Sequence, residues 1–159
     1  MNIINSFKGQ YKFLSNFYSE PGHKALEYEY QASKFLDTDK KQAILDCATP
    51  DDAKRLARKM WADQREDWER VSIQTMLDLL RKKFAPGSSL ARRLLDTGDA
   101  YLEEGNTWND TFYGTVAGKG SNVLGLLLMI VRAELKTTRE LVNQAVAKGF
   151  VSMSEGEGF

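Results

Sequence analysis

Cysteine and histidine are almost missing from this chain: Cys47 and His23 are the single examples among 159 residues. One cysteine excludes an intrachain disulfide and suits a reducing compartment. One histidine with one cysteine cannot supply the three protein ligands of a catalytic zinc site, so no metal is expected. Net charge is absent as well. The 22 basic side chains are matched by 22 acidic ones, which removes the overall basic footprint of a protein that grips a nucleic-acid backbone. No long hydrophobic run exists either. The longest, Val123 to Val131, contains Gly125 and falls far short of the ~20 residues that span a bilayer. The first residues lack the basic-then-apolar pattern of a secretion signal. A cytoplasmic protein without a membrane partner is expected.

What is present is enough for one domain with a real core: 42% of residues are hydrophobic and 11% aromatic. Residues 1–25 alternate weakly and read as one or two short strands with loops. Ala25 to Leu36 has helical spacing, and Lys40 to Cys47 reads as a short helix. Thr49, Pro50, Asp51 and Asp52 form a strong helix start, with a cap, a proline at the first position and acids in the first turn. "REDWERVSIQTMLDLLRKKF" is a longer amphipathic helix ended by Pro86-Gly87. Ser88 or Ser89 caps the next, which stops at Gly98. "AYLEE" is a candidate strand. A helix from about Asn122 to Leu135 follows, then a last one over 138–148 and a frayed "SMSEGEGF" tail. The expected fold is α+β, mainly α: a single compact helical domain over 1–136 with a small antiparallel β element, and a C-terminal helical extension and tail over 137–159. The basic runs at Lys54, Arg55, Arg58 and Lys59, at Arg81 to Lys83, and at Arg92 and Arg93 read as solvated helix faces.

Three stretches could carry chemistry. In "ALEYEYQASKF", Glu27, Gln31 and Lys34 stand at i, i+4 and i+7, on one helical stripe between mostly apolar borders. The stripe either faces a cleft or is an ion pair bridged by Gln31; spacing alone favours the pair. In "FKGQYKFLSNFY", Ser15 and Asn16 interrupt a series of aromatics. That segment is either a hydrophobic mini-core with a turn, or a loop that presents Asn16 and rings such as Phe17 to a planar base or a ribose. In "NDTFYGTVAGKGSN", Gly114, Gly118 and Gly120 permit close backbone approach ahead of a helix whose first N–H groups can hold an anion, with Lys119 adding a charge. Asp110 precedes this loop among Trp108, Phe112 and Tyr113. Neither a Walker motif nor a dinucleotide-binding fingerprint is present. By itself the loop is a weak signal for a phosphate-bearing ligand.

Taken together, "FKGQYKFLSNFY", "LEYEYQASKF", "ATPDDAKRLAR", "REDWERVSIQTMLDLLRKKF", "LLDTGDAYLEE", "NDTFYG" and "GKGSNVLGLLLMIVR" occur in an order and spacing that resembles the YbiA-like, or NADAR, family over about residues 5–135. The family usually has His directly after the glutamate, where this chain has Tyr28, and often Trp where it has Tyr113. The resemblance implies an N-glycosidase that cleaves a ribose C1–N bond in a phosphate-bearing N-riboside. ADP-ribose on a guanine base, or a phosphoribosylated riboflavin-pathway intermediate, would be its substrate. A non-catalytic module that binds ADP-ribose or NAD is the alternative. Partners would be that small phosphoribosyl or ADP-ribosyl molecule or an ADP-ribosylated nucleic acid, with no cofactor.

The resemblance further implies that Glu27 and Asp110 work at the anomeric carbon. Glu27 would stabilise positive charge on the ribose and activate water, and Asp110 would orient ribose hydroxyls or share acid–base work. Lys34 either forms a Schiff base at C1 or only pairs with Glu27. Gln31 lies between them. Trp68 and the Ser15-Asn16-Phe17 loop would contact the base. Arg65 and Lys119 are phosphate candidates. The loop from Tyr113 and Gly114 through Gly118 and Gly120 to Asn122 would hold phosphate or ribose.

Overall fold

The computed structural model describes residues 2–152. All but Ser152 of the "SMSEGEGF" segment lies outside them. The chain separates into two compact units, Ser15–Leu80 and Met1–Leu14 with Arg81–Phe159.

The Ser15–Leu80 unit is helical. α1 (Leu26–Ala32), α2 (Thr38–Leu45) and α3 (Pro50–Lys59) pack on one another, and α4 (Trp68–Lys83) carries the chain out of the unit. Each start has a physical cause. The Asp37 carboxylate accepts the N–H groups of Asp39 and Lys40, so α2 begins earlier than the spacing of its apolar residues indicates. The Thr49 hydroxyl accepts the Asp52 N–H at 3.1 Å ahead of Pro50, as the sequence requires. α1 has no side-chain cap. Instead the carbonyl of Asn16 takes the N–H of Glu27 at 3.0 Å, which binds the Ser15–Phe17 loop to the start of the helix. The small residues Ala53 and Ala57 of α3 let that helix approach α1 closely, against Ala25, Tyr28, Ala32 and the fully buried Phe35.

In the other unit β1 (Ile3–Ile4) pairs with β2 (Tyr101–Leu102), Ile3 opposite Tyr101. The pair is parallel, which corrects the expected antiparallel element. Its strands are separated by α1 to α5, and no hairpin connects them. A 3-10 turn over Gly9–Leu14 replaces further N-terminal strand. α5 (Ser89–Asp96), capped by Ser88, and β2 both pack on α6 (Val123–Ala147). α6 is one helix of 25 residues, not two. No glycine or proline interrupts it after Gly125, and Thr138 turns its hydroxyl back onto the Glu134 carbonyl at 2.9 Å without breaking the run. No helix among the described residues is long and apolar enough to cross a membrane.

Candidate functional site

The charged stripe of α1 is buried, and its surroundings decide between the two readings of its spacing. α1 ends at Ala32, short of the expected Leu36. The Lys34 carbonyl then receives the Arg65 N–H at 2.8 Å, so Lys34 sits in the turn that closes the helix. Glu27 is 5% exposed, and its carboxylate accepts a hydrogen bond from Gln31 Nε2 at 2.6 Å. That bond is charge-assisted, which accounts for its shortness.

Gln31 is 3% exposed and Asn16 6%. The Oε1 of the first and the Oδ1 of the second meet no hydrogen-bond donor among the described residues. The Asn16 amide nitrogen points to the Met76 sulfur at 3.4 Å, a soft acceptor. An acceptor buried without a donor costs about 1–3 kcal/mol. Two of them within the same unit as a buried carboxylate are open positions for the N–H or O–H groups of a ligand.

Lys34 is half-buried. Its ammonium lies 5.5 Å from the centre of the Tyr30 ring and 5.9 Å from that of Trp68, and the two rings tilt against each other with centroids 5.3 Å apart. Burial lowers the amine's pKa. The Glu27 charge opposes that shift, and the charges of Lys54 and Arg58 add to it. Lys54 also reaches over the Phe17 ring at 5.7 Å. Glu27, Gln31, Lys34, Asn16, Trp68 and Phe17 thus belong to one unit, joined by Tyr30, Lys54 and Arg58. By sequence alone Lys54 and Arg58 read as part of a solvated helix face, and Tyr30 is not singled out. The i,i+4 spacing of Lys54 and Arg58 beside Ala53 and Ala57 was the available signal.

Other expected site residues have different work. The Arg65 guanidinium is held by both carboxylate oxygens of Asp67, at 2.5 and 3.0 Å, and Asp67 also meets Arg70 at 3.2 Å. The Asp67 carboxyl is held below its ordinary pKa by this pairing, and the Arg65 value rises for the same reason. Arg65, the phosphate candidate of the sequence, thus already has a carboxylate partner. Ser15 uses its hydroxyl to accept the Phe17 N–H at 3.2 Å, which shapes the loop.

In the other unit the glycine loop is a piece of local architecture. Asp110 Oδ1 accepts the N–H groups of Phe112 and Tyr113, at 3.0 and 2.9 Å. Asn106, which the sequence did not single out, is 8% exposed and ties the loop at four points. Its Nδ2 donates to the carbonyls of Asp110 and Thr115, and its Oδ1 accepts from the N–H groups of Trp108 and Asp110. Tyr113 meets the Phe112 ring edge-on at 4.9 Å. A β-carbon on Gly114 or Gly120 would collide with neighbouring carbonyl oxygens, so both are close-approach positions. Gly118, with φ of 75°, and Ala117, with φ of 50°, form the tip of a tight turn that joins Val116 to Lys119 through two backbone bonds. Lys119 lies exposed on that turn.

The helix start behind this loop is not open to an anion as expected. The N–H groups of Val123 and Leu124, the first two of α6, already donate to the carbonyls of Phe112 and Tyr113. Asn122 is corrected too. It is 3% exposed with φ of 49°, its Oδ1 accepts the Glu104 N–H, and its Nδ2 donates to the Leu102 carbonyl and the Tyr101 hydroxyl. It fastens β2 to α6, and both polar atoms of its side chain are engaged in doing so.

The chain is similar to several known proteins over most of its length. It is 37% identical over 131 residues to a riboflavin biosynthesis protein of Vibrio vulnificus, covering 78% of this chain and 35% of that one. The chain therefore spans about a third of that relative. It is 38% identical over 142 residues to the N-glycosidase YbiA of Shigella flexneri, covering 84% and 88% of the two. The solved structure of Escherichia coli YbiA superposes with a TM-score of 0.75 at 36% identity, over 87% of each chain. The NADAR domain model matches residues 5–136. With that match across most of the sequence, and the fold shared with YbiA, this chain belongs to the NADAR family.

Proposed function

We propose that this protein is an N-glycosidase that hydrolyses the ribose C1–N bond of a phosphate-bearing N-riboside. ADP-ribose on a guanine base and a phosphoribosylated riboflavin-pathway intermediate are its substrate class. The observation that carries the reading is the buried Glu27 carboxylate beside two unsatisfied amide oxygens, on Gln31 and Asn16. Two relatives bear compatible names, an N-glycosidase and a riboflavin biosynthesis protein.

C1–N cleavage builds oxocarbenium character on the ribose. A carboxylate in a water-poor site stabilises that charge and takes a proton from the attacking water. The C1–N electron pair leaves with the base nitrogen, which takes up a proton, and the water oxygen becomes the new substituent on C1. Gln31 holds the Glu27 carboxylate in place, and its free oxygen, with that of Asn16, accepts from ribose hydroxyls or base N–H groups. Trp68 and Tyr30 offer aromatic surface. Asp110 shapes its own loop.

The lowered pKa of Lys34 favours a second route. A neutral amine adds to C1 of the ring-opened sugar, the base nitrogen departs with the electron pair and a proton, and water hydrolyses the resulting imine. The test is to incubate the protein with an ADP-ribosylated guanine oligonucleotide and with the phosphoribosylated riboflavin precursor, and to separate products by mass. Release of ADP-ribose or ribose 5-phosphate with the free base is expected. Binding of both compounds without release refutes hydrolysis and identifies a binding module.

A further inference from the structure

We infer that Lys54 and Arg58 of α3 form the phosphate-binding subsite of this centre, selecting phosphorylated over unphosphorylated N-ribosides. This rests on the reading of the Glu27 cluster as a riboside site. Three observations lead here. First, the two residues are one helical turn apart on the same flank of α3, next to the Ala53 and Ala57 positions that pack on α1. The opposite flank carries Asp52, whose charge acts on Tyr28, whereas those of Lys54 and Arg58 act on Lys34. The pair thus borders the same side of α1 as Lys34.

Second, several neighbouring cations have carboxylate partners, though among the described residues the exposed Lys59 at the end of α3 does not: Arg55 meets Asp52 at 2.9 Å, Lys40 meets Asp63 at 3.2 Å, and Arg65 and Arg70 share Asp67. Among the described residues Lys54 and Arg58 have none. Lys54 instead lies over the Phe17 ring, in the loop that carries Asn16. Third, the centre already contains the partly buried Lys34, whose amine feels the positive charges of Lys54 and Arg58 and the opposing charge of Glu27. Uncompensated positive charge bordering a site with unsatisfied buried acceptors calls for a ligand that brings both an anion and donors. A sugar phosphate has both, and a nucleoside or free base lacks the anion.

The experiment uses the full chain and two readouts. Inorganic pyrophosphate and ribose 5-phosphate are titrated by calorimetry into wild type, the Lys54→Ala/Arg58→Ala double variant and Arg55→Ala, with folding verified by circular dichroism. Arg55→Ala removes a cation from the same helix on another face. Wild type should bind both probes, the double variant should lose about thirtyfold or more in affinity, and Arg55→Ala should stay within about twofold. No binding by wild type, unchanged affinity in the double variant, or an equal loss in Arg55→Ala each overturns the subsite. The second readout is hydrolysis of a phosphorylated N-riboside against its dephosphorylated form. If the double variant keeps the wild-type preference for the phosphorylated form, the subsite falls while the riboside reaction stands. If probe binding behaves as expected but no riboside is cleaved, the anion subsite stands and the hydrolytic reading falls.

Discussion

Replacing Glu27 by Gln separates chemistry from architecture, because the substitution keeps the shape and removes only the charge. The backbone bond from Glu27 N–H to the Asn16 carbonyl, at 3.0 Å, is unaffected. The side-chain bond to Gln31 at 2.6 Å changes from charge-assisted to neutral. Such bonds are worth about 1.5–3 kcal/mol when charged and about 0.5–1.5 kcal/mol when neutral. The loss is therefore about 1 kcal/mol, partly offset because a buried carboxylate no longer has to be desolvated. For a chain of this size that corresponds to a fall in Tm of about 2–4 °C at most. The catalytic effect is much larger. General-base and electrostatic contributions of one positioned group are each worth about 100-fold or more, or about 2.7 kcal/mol of barrier. The expected result is a fall in kcat/KM of at least about 100-fold, with riboside binding retained and a melting curve nearly superposable on wild type. Release of free base should be followed by chromatography in single-turnover conditions, so that product release does not mask the step. A Glu27→Gln protein that turns over at the wild-type rate, on a substrate wild type cleaves, refutes the assignment.

Four further outcomes follow. Burial lowers the Lys34 pKa, so between that lowered value and the unfolded value of about 10.4 the unfolded chain binds more protons and stability rises with pH. Denaturant melts from pH 7 to 10 should show that rise, and Lys34→Gln should flatten it. Borohydride added during turnover separates the two routes: a covalent adduct on wild type but not on Lys34→Arg establishes the imine, and no adduct with partial activity in Lys34→Arg leaves direct hydrolysis. Asn122→Ala should lower stability by about 2–3 kcal/mol, read as the shift in urea midpoint, because it leaves the Glu104 N–H and Leu102 carbonyl without their partner. Gly118→Ala, in open space at positive φ, should cost about 1 kcal/mol, whereas Gly120→Ala should cost more, because its new methyl meets the Gly114 and Thr111 carbonyls. Equal melting temperatures for the two glycine variants would refute that contrast.

Local information in the chain decided the helices. Thr49-Pro50 and Ser88 start their helices where their side chains supply the missing partners for N–H groups, and Gly98, at φ of 63°, follows the end of α5. These are interactions within a turn or two, so neighbouring residues suffice to specify them. The pairing of Glu27 with Gln31 was legible for the same reason, since helical spacing puts them together whatever surrounds them, whereas Lys34 lies in the turn after α1 ends. What surrounds them was not legible. Whether that pair faced solvent or the interior depended on Ala53 and Ala57 letting α3 close onto α1, and on the Asn16 carbonyl capping α1 from outside the helix. The same distance in sequence hid the parallel pairing of Ile3 with Tyr101, the pairing of Arg81 with Glu134 and the three bonds of Asn122. The glycine loop shows the limit most clearly. Its composition matched an anion-binding turn, yet backbone carbonyls from residues 112 and 113 had already taken the first N–H groups of α6. Which polar groups remain unsatisfied is a property of the packed chain, because each donor is spent on whichever acceptor folding brings within reach. The open acceptors on Asn16 and Gln31, and the unpaired cations on α3, could be found only there.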